Sequence, residues 1–221
     1  MDERLHTPTR GVAESVQELA RTVVCALDDE APLDVMTGTD DPVLSAAARV
    51  LGADVLAPST LSGRDATESE VALLSGAVRT FPPKTGSPAS EWTHWGARVA
   101  LGHVRPGAGE PGVAWVADEP WPRFAHQLAV VASLATVTPS TLTAVAARRV
   151  EDLARGFVRA VRRGDWPQAA GAGRWLAAVG GVPPSLGLDT GLEFVELMGA
   201  DDARVVLNVR VARILRRSQA R

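Results

Sequence analysis

The residues best suited to chemistry in this 221-residue chain are four histidines, six tryptophans and one cysteine. The densest grouping is Trp92-Thr93-His94-Trp95, with His103 and Trp115 following closely. Three large aromatics and two imidazoles near one sheet would line a cavity, because ligand pockets pair apolar walls with a few orienting polar groups. The candidate ligand-binding set is therefore Trp92, His94, Trp95, His103 and Trp115. The plainer reading makes the tryptophans core and leaves His103 bonded to backbone at a strand end. Acid–base work by His103 or His94 would need a second group set against the imidazole. The nearest acids, Asp118-Glu119, would face opposite sides of a strand. No catalytic residue is assigned.

Other chemistries find less support. His6, His94, His103 and His126 match no metal-ligand spacing, so no metal is expected. Cys25 alone excludes an intrachain disulfide, a CxxC pair and a cysteine-built zinc site. The glycine-rich run Gly107-Ala108-Gly109-Glu110-Pro111-Gly112 lacks the Lys-Ser/Thr of a phosphate loop and precedes an expected strand. Lys84-Thr85-Gly86 matches one β-lactamase element, but Lys84 is the only lysine, so no Ser-x-x-Lys partner exists. No cofactor is expected.

The elements that would position these residues read as follows. Val12, Val16, Leu19, Val23 and Leu27 recur at helical spacing. Asp41-Pro42 opens a helix that stops at Gly52. Ala53 to Ala57 reads as a short strand. Thr67-Glu68-Ser69-Glu70 is a capping-box pattern. Ala97 to Val104 alternates, a wide glycine turn follows, and Val113 to Ala117 returns, which predicts a hairpin. A helix begins near Pro122. Thr138-Pro139 starts another, and Val150, Leu153, Phe157 and Val161 form an apolar seam flanked by arginines. Helices over 169–179, around Leu192 to Met198, and after Asp201 or Asp202 complete the chain. The stretch 204–211 also alternates, but its acidic start and basic end favour a helix. The expected organisation is a loose N-terminus over 1–11, an α+β domain over 12–138 and a helical segment over 139–221.

Composition excludes broad classes. Apolar residues make up 46% and charged residues 22%, which marks a globular chain. The net charge of −3 forces neither a nucleic-acid nor a membrane partner. Its distribution is uneven: residues 1–120 carry a net −9, and residues 121–221 a net +6. The bland account is two solvated faces that attract each other. The start of the sequence is acidic with no apolar region, so no signal peptide is seen, and no run approaches the roughly 20 apolar residues of a membrane span. A cytoplasmic location is the default.

The stretch Arg98 to Val104, the glycine turn and Gly112 to Val116 resemble the central hairpin of a GAF-type sensory domain. A helix similar to Ala147 to Leu153 follows the sensor in PucR-type actinobacterial regulators of transcription. The resemblance covers roughly residues 12–165, without a clear DNA-binding domain at the end. It implies a GAF-like sheet-and-helix domain followed by a small all-helical segment. It further implies a regulatory, signalling protein that binds a small ligand or a protein partner and forms a homodimer through flanking helices. The arginine-flanked seam gives that dimer an independent reason. A small-molecule enzyme using the histidine-containing cavity is the second reading. Nucleic-acid binding by the basic half is the third.

Overall fold

The computed structural model describes residues 11–34 and 41–219, and among them every regular element is a helix. The chain order is α1 (Val12–Asp28), α2 (Pro42–Leu51), α3 (Ala57–Ser62), α4 (Glu68–Thr80), α5 (Pro88–Ala100), α6 (Ala114–Ala117), α7 (Trp121–Val130), α8 (Thr141–Arg148), α9 (Val150–Arg163), α10 (Trp166–Val179), α11 (Leu188–Met198) and α12 (Ala203–Gln219). Short 3₁₀ turns occupy Gly52–Leu56, Ala132–Thr136 and Pro184–Leu186. None of these helices is long and apolar enough to cross a membrane.

This architecture overturns the α+β reading and the GAF resemblance, because a GAF-like domain needs a sheet and no strand is present among the described residues. The hairpin fails for a definable reason. Pro88 sits at the start of α5, and Trp92, Trp95, Gly96 and Val99 follow at a helical period that outweighs the short alternation beginning at Ala97. The expected return strand is the single turn α6. The expected strand Ala53 to Ala57 is instead the 3₁₀ turn Gly52–Leu56, all of it buried, running on into α3. A five-residue segment that is apolar except for Asp54 fits either state.

Helix boundaries follow local chemistry. Asp41 accepts a hydrogen bond from the Val43 N–H at 2.8 Å, and α2 ends at Gly52 with φ 60°. Thr67 and Glu70 form the full capping box of α4. Ser140, two residues beyond Thr138, caps α8. Asp165 caps α10 and Asp202 accepts from the Arg204 N–H at the start of α12. Of the loose N-terminus expected over 1–11, only Gly11 falls within the described residues.

Two apolar clusters hold the helices together. One gathers α5, α7, α8, α9, α10 and α11 around Trp92, Phe124, Leu153, Phe157 and Trp175. The other joins α1, α2 and α4 to α12 through Leu19, Val23, Leu51, Leu74, Leu207 and Val211. Each draws residues from both sides of residue 138. The arginine-flanked seam is spent inside the chain: Leu153 and Phe157 are buried in the first cluster, with Val150 and Val161 packed at its edge.

Close helix approach depends on small residues in α10. A Cβ added at Gly171 would lie 2.6 Å from the Ala129 carbonyl oxygen and 2.8 Å from the Ala129 Cα. A backbone neighbour gives way less easily than a side chain, so Gly171→Ala should destabilise the protein by about 1–3 kcal/mol. Gly76, in the middle of α4, has open space where its Cβ would be. Gly76→Ala should stabilise by about 0.5–1 kcal/mol through helix propensity. Urea unfolding of the two variants checks both signs.

A second constraint is the fully buried Glu70. Its carboxylate accepts from the Leu33 N–H at 2.9 Å, the Ser59 hydroxyl at 2.9 Å, the Thr67 N–H at 2.6 Å and the Arg64 guanidinium at 3.0 Å. Burial pushes its pKa up, but these donors, Arg64 foremost, outweigh burial and hold it at about 2. The folded value lies below the unfolded one, so the stabilisation is complete above the unfolded value of about 4.5 and is lost as pH falls toward 2. Glu70→Gln should lower stability by about 3 kcal/mol at neutral pH. In thermal melts the gap from the unsubstituted protein should narrow steadily across that acid window.

Candidate functional site

The five residues expected to form a ligand site do not share one sheet face. Trp92 and Trp95 are buried on α5 and meet edge to face, with ring centroids 5.1 Å apart. Their indole N–H groups donate to the Gly112 carbonyl at 3.0 Å and the Ala108 carbonyl at 2.9 Å. Together they pin the glycine-rich loop after α5 to the core. His94, on the same helix, is half-buried, and its Nδ1 has no hydrogen-bond partner. His103 is exposed in the loop, and Trp115 is half-buried on α6. The third histidine in the described residues, His126, is exposed on α7 and pairs with the Gln168 amide at 3.1 Å. Among the described residues, no three His, Cys, Asp or Glu side chains converge as a metal site would need.

A different set of residues forms a concave surface. Helix α9 turns Leu153, Gly156, Phe157 and Ala160 inward, against α7 and α10. Its opposite face presents Arg155, Val158, Arg159, Arg162 and Arg163, all exposed. Trp121, the first residue of α7, and Leu186, in the 3₁₀ turn before α11, complete a groove of about 640 Å³. The Arg159 guanidinium carbon lies 5.6 Å from the centre of the Trp121 ring, within range of a cation–π contact.

The groove width follows from one glycine. A Cβ on Gly156 would stand 2.1 Å from the Ala125 Cβ, so α9 rests directly on α7 at that point. That contact brings Trp121, one turn before Ala125, beside Arg159, nearly one turn after Gly156.

The charges in the groove are unequally satisfied. Arg155 is held by Asp152 at 3.4 Å and Glu151 at 3.9 Å. Among the described residues, no carboxylate lies within ion-pair distance of Arg159, Arg162 or Arg163. The floor between them is apolar, made by Trp121, Ala154, Val158 and Leu186. Such a surface holds anionic groups on a partly apolar body. It has no paired acid and base for a chemical step.

Half of the groove is visible in the sequence. Arg155, Arg159, Arg162 and Arg163 recur at helical spacing, which marks a cationic stripe. In the sequence alone they mark only the rim of the apolar seam. Trp121 and Leu186 carried no such signal, because their meeting with α9 depends on the tertiary fold. Compared with protein-family models, with curated proteins and with solved structures, the chain finds no match.

The environment of His94 generates a testable expectation. Burial first, then the nearby positive charges of Arg49 and Arg98, hold its pKa below the ordinary 6.5. Arg98 is exposed, so Arg98→Ala should leave the fold intact. Histidine resonances followed by NMR should show His94 titrating below its ordinary value, and Arg98→Ala should raise the midpoint only part of the way.

Proposed function

We propose that the protein is a docking module, and that the α7–α9 groove takes an acidic, amphipathic segment of a protein partner. The observation that carries this reading is the set of guanidinium groups of Arg159, Arg162 and Arg163, unpaired among the described residues, standing over the apolar floor of Trp121, Val158 and Leu186. Cations of this kind attract carboxylates, and the apolar floor rewards aliphatic or aromatic side chains between them.

The spacing favours a chain segment over a compact ligand. Arg155 and Arg163 are eight residues apart on one helix, which corresponds to about 12 Å along its axis. A single small anion spans only part of that length. A helix laid in the groove can present a carboxylate at each turn and its apolar stripe between them. The acidic start of α9, Glu151 and Asp152, lies at one end of the arginine row and disfavours a polyphosphate track there.

The reading retains the expectation of a binding protein and moves its site away from Trp92 and His103. A fluorescein-labelled, helix-forming peptide of about 16 residues, with Glu and Leu or Phe at i, i+3 and i+4, is the probe. It should bind with micromolar affinity and weaken as salt rises. Arg159→Glu with Arg162→Glu should weaken binding by more than about tenfold, roughly 1.4 kcal/mol, with an unchanged helical signal. Equal binding by that variant, or tighter binding of a single-stranded oligonucleotide than of the peptide, would overturn the reading.

A further inference from the structure

Helix α11 has an unusual outer face. It buries Leu188, Leu192 and Val195 and exposes Phe194, Leu197 and Met198 by 45%, 74% and 50%. No other helix among the described residues exposes more than one large apolar side chain. Phe194, Leu197 and Met198 stand at i, i+3 and i+4, so they form a single stripe. Glu193 sits one turn before Leu197 on that stripe, and Asp201 lies in the turn that follows the helix, three residues after Met198. Both carboxylates are exposed, and neither has an ion pair among the described residues. The other two acids of the helix are engaged, Glu196 with Arg210 and Arg213, and Asp189 with Arg216.

This is the chemistry the groove calls for: an apolar helical stripe edged by free carboxylates. The two surfaces adjoin. Leu186 lines the groove two residues before α11 begins. Trp166, three residues after Arg163, meets Phe194 edge-on with ring centroids 5.8 Å apart. The helix cannot occupy its own chain's groove, because its inner side chains are locked into the core beside Phe157, whose ring would crowd a Cβ on Gly191 at 2.9 Å. A second copy has no such restriction. A face with one basic and one acidic half, each with its own apolar residues, is self-complementary about a two-fold axis.

Resting on the reading of the groove as a site for an acidic, apolar segment, we propose that its occupant is α11 of a second copy of this chain. Phe194, Leu197 and Met198 enter between Trp121, Val158 and Leu186, and Glu193 and Asp201 meet the free arginines. The contact forms twice in the dimer. It also covers the groove, so an external acidic segment competes with self-association.

Sedimentation velocity at micromolar concentration reads the result directly. The 23.2 kDa chain should run as a dimer. Leu197→Glu, at a site three-quarters exposed, should give a folded monomer, as should Arg162→Glu or Glu193→Arg alone. Combining Arg162→Glu with Glu193→Arg should restore the dimer, because both charges are reversed across the same contact. The fluorescein-labelled peptide should bind the Leu197→Glu monomer at least about tenfold more tightly than it binds the dimer. A monomeric unsubstituted protein that binds the peptide would overturn the proposal and leave the groove reading standing. A dimer indifferent to Leu197→Glu would also overturn it. A Leu197→Glu monomer that ignores the peptide would overturn the groove reading, and the proposal would fall with it.

Discussion

A guanidinium with no exposed surface must find its partners where it lies, and Arg174 is such a group at the middle of α10. Asp54 meets it with both carboxylate oxygens, at 2.5 Å and 2.8 Å. The Asn208 side-chain oxygen accepts from it at 3.1 Å, and the Ser133 carbonyl at 3.3 Å. One residue therefore ties the 3₁₀ turn after α2, the 3₁₀ turn after α7, α10 and α12. Removing either charge leaves the other buried and unpaired, a loss of roughly 3–5 kcal/mol. An apolar pair of matching shape could be as stable, so the pair's distinctive contribution is to fix which elements meet.

The small residues around Arg174 complete that constraint. Positions 169–173 are Ala-Ala-Gly-Ala-Gly, all buried, and they let α7, α9 and α12 approach the α10 backbone. Trp175 adds the next layer, its indole N–H donating to the Leu128 carbonyl at 2.7 Å. Once α9 has given its apolar side to α10 and, through Gly156, to α7, its arginines have only the outer surface left. The groove is thus a consequence of tight packing beneath it: the same glycine that seats α9 on α7 sets Trp121 under Arg159.

Helix ends are legible locally, although the fold class is not. The Asp41 cap and the Thr67–Glu70 box stand where the sequence places them, and of the two acids offered for the last helix, Asp202 accepts from its first turn. The strands were misread because Ala97 to Val104 alternates over too few residues to compete with the longer helical period set by Pro88, Trp92 and Trp95. The turn at Gly52–Leu56 is not a strand as its sequence suggests, because its burial rests on Asp54 meeting a residue 120 positions away. Nothing in the local sequence announces that pairing. The same limit hid the site. The arginine period of α9 could be read from spacing, but Trp121 and Leu186 join it only through contacts between distant helices.

The opposite charges of the two halves have a specific distribution in space. Part of the imbalance is neutralised inside the chain, by Asp54 with Arg174 and by Asp28 with Arg210 at 3.0 Å. Helix α12 also spends Arg213 and Arg216 on the acids of α11. Among the described residues, the cations left over include Arg159, Arg162 and Arg163 on α9, and the acids left over include Glu193 on α11, beside exposed apolar side chains. Exposed ion pairs contribute little to the stability of one chain, with a median of about 0–1 kcal/mol. The same charges gain effect in recognition, where they speed encounter and reject wrong partners. A fold whose internal ion pairs are already made therefore has its remaining charge free for recognition, and on α9 and α11 that charge lies where apolar surface is also uncovered.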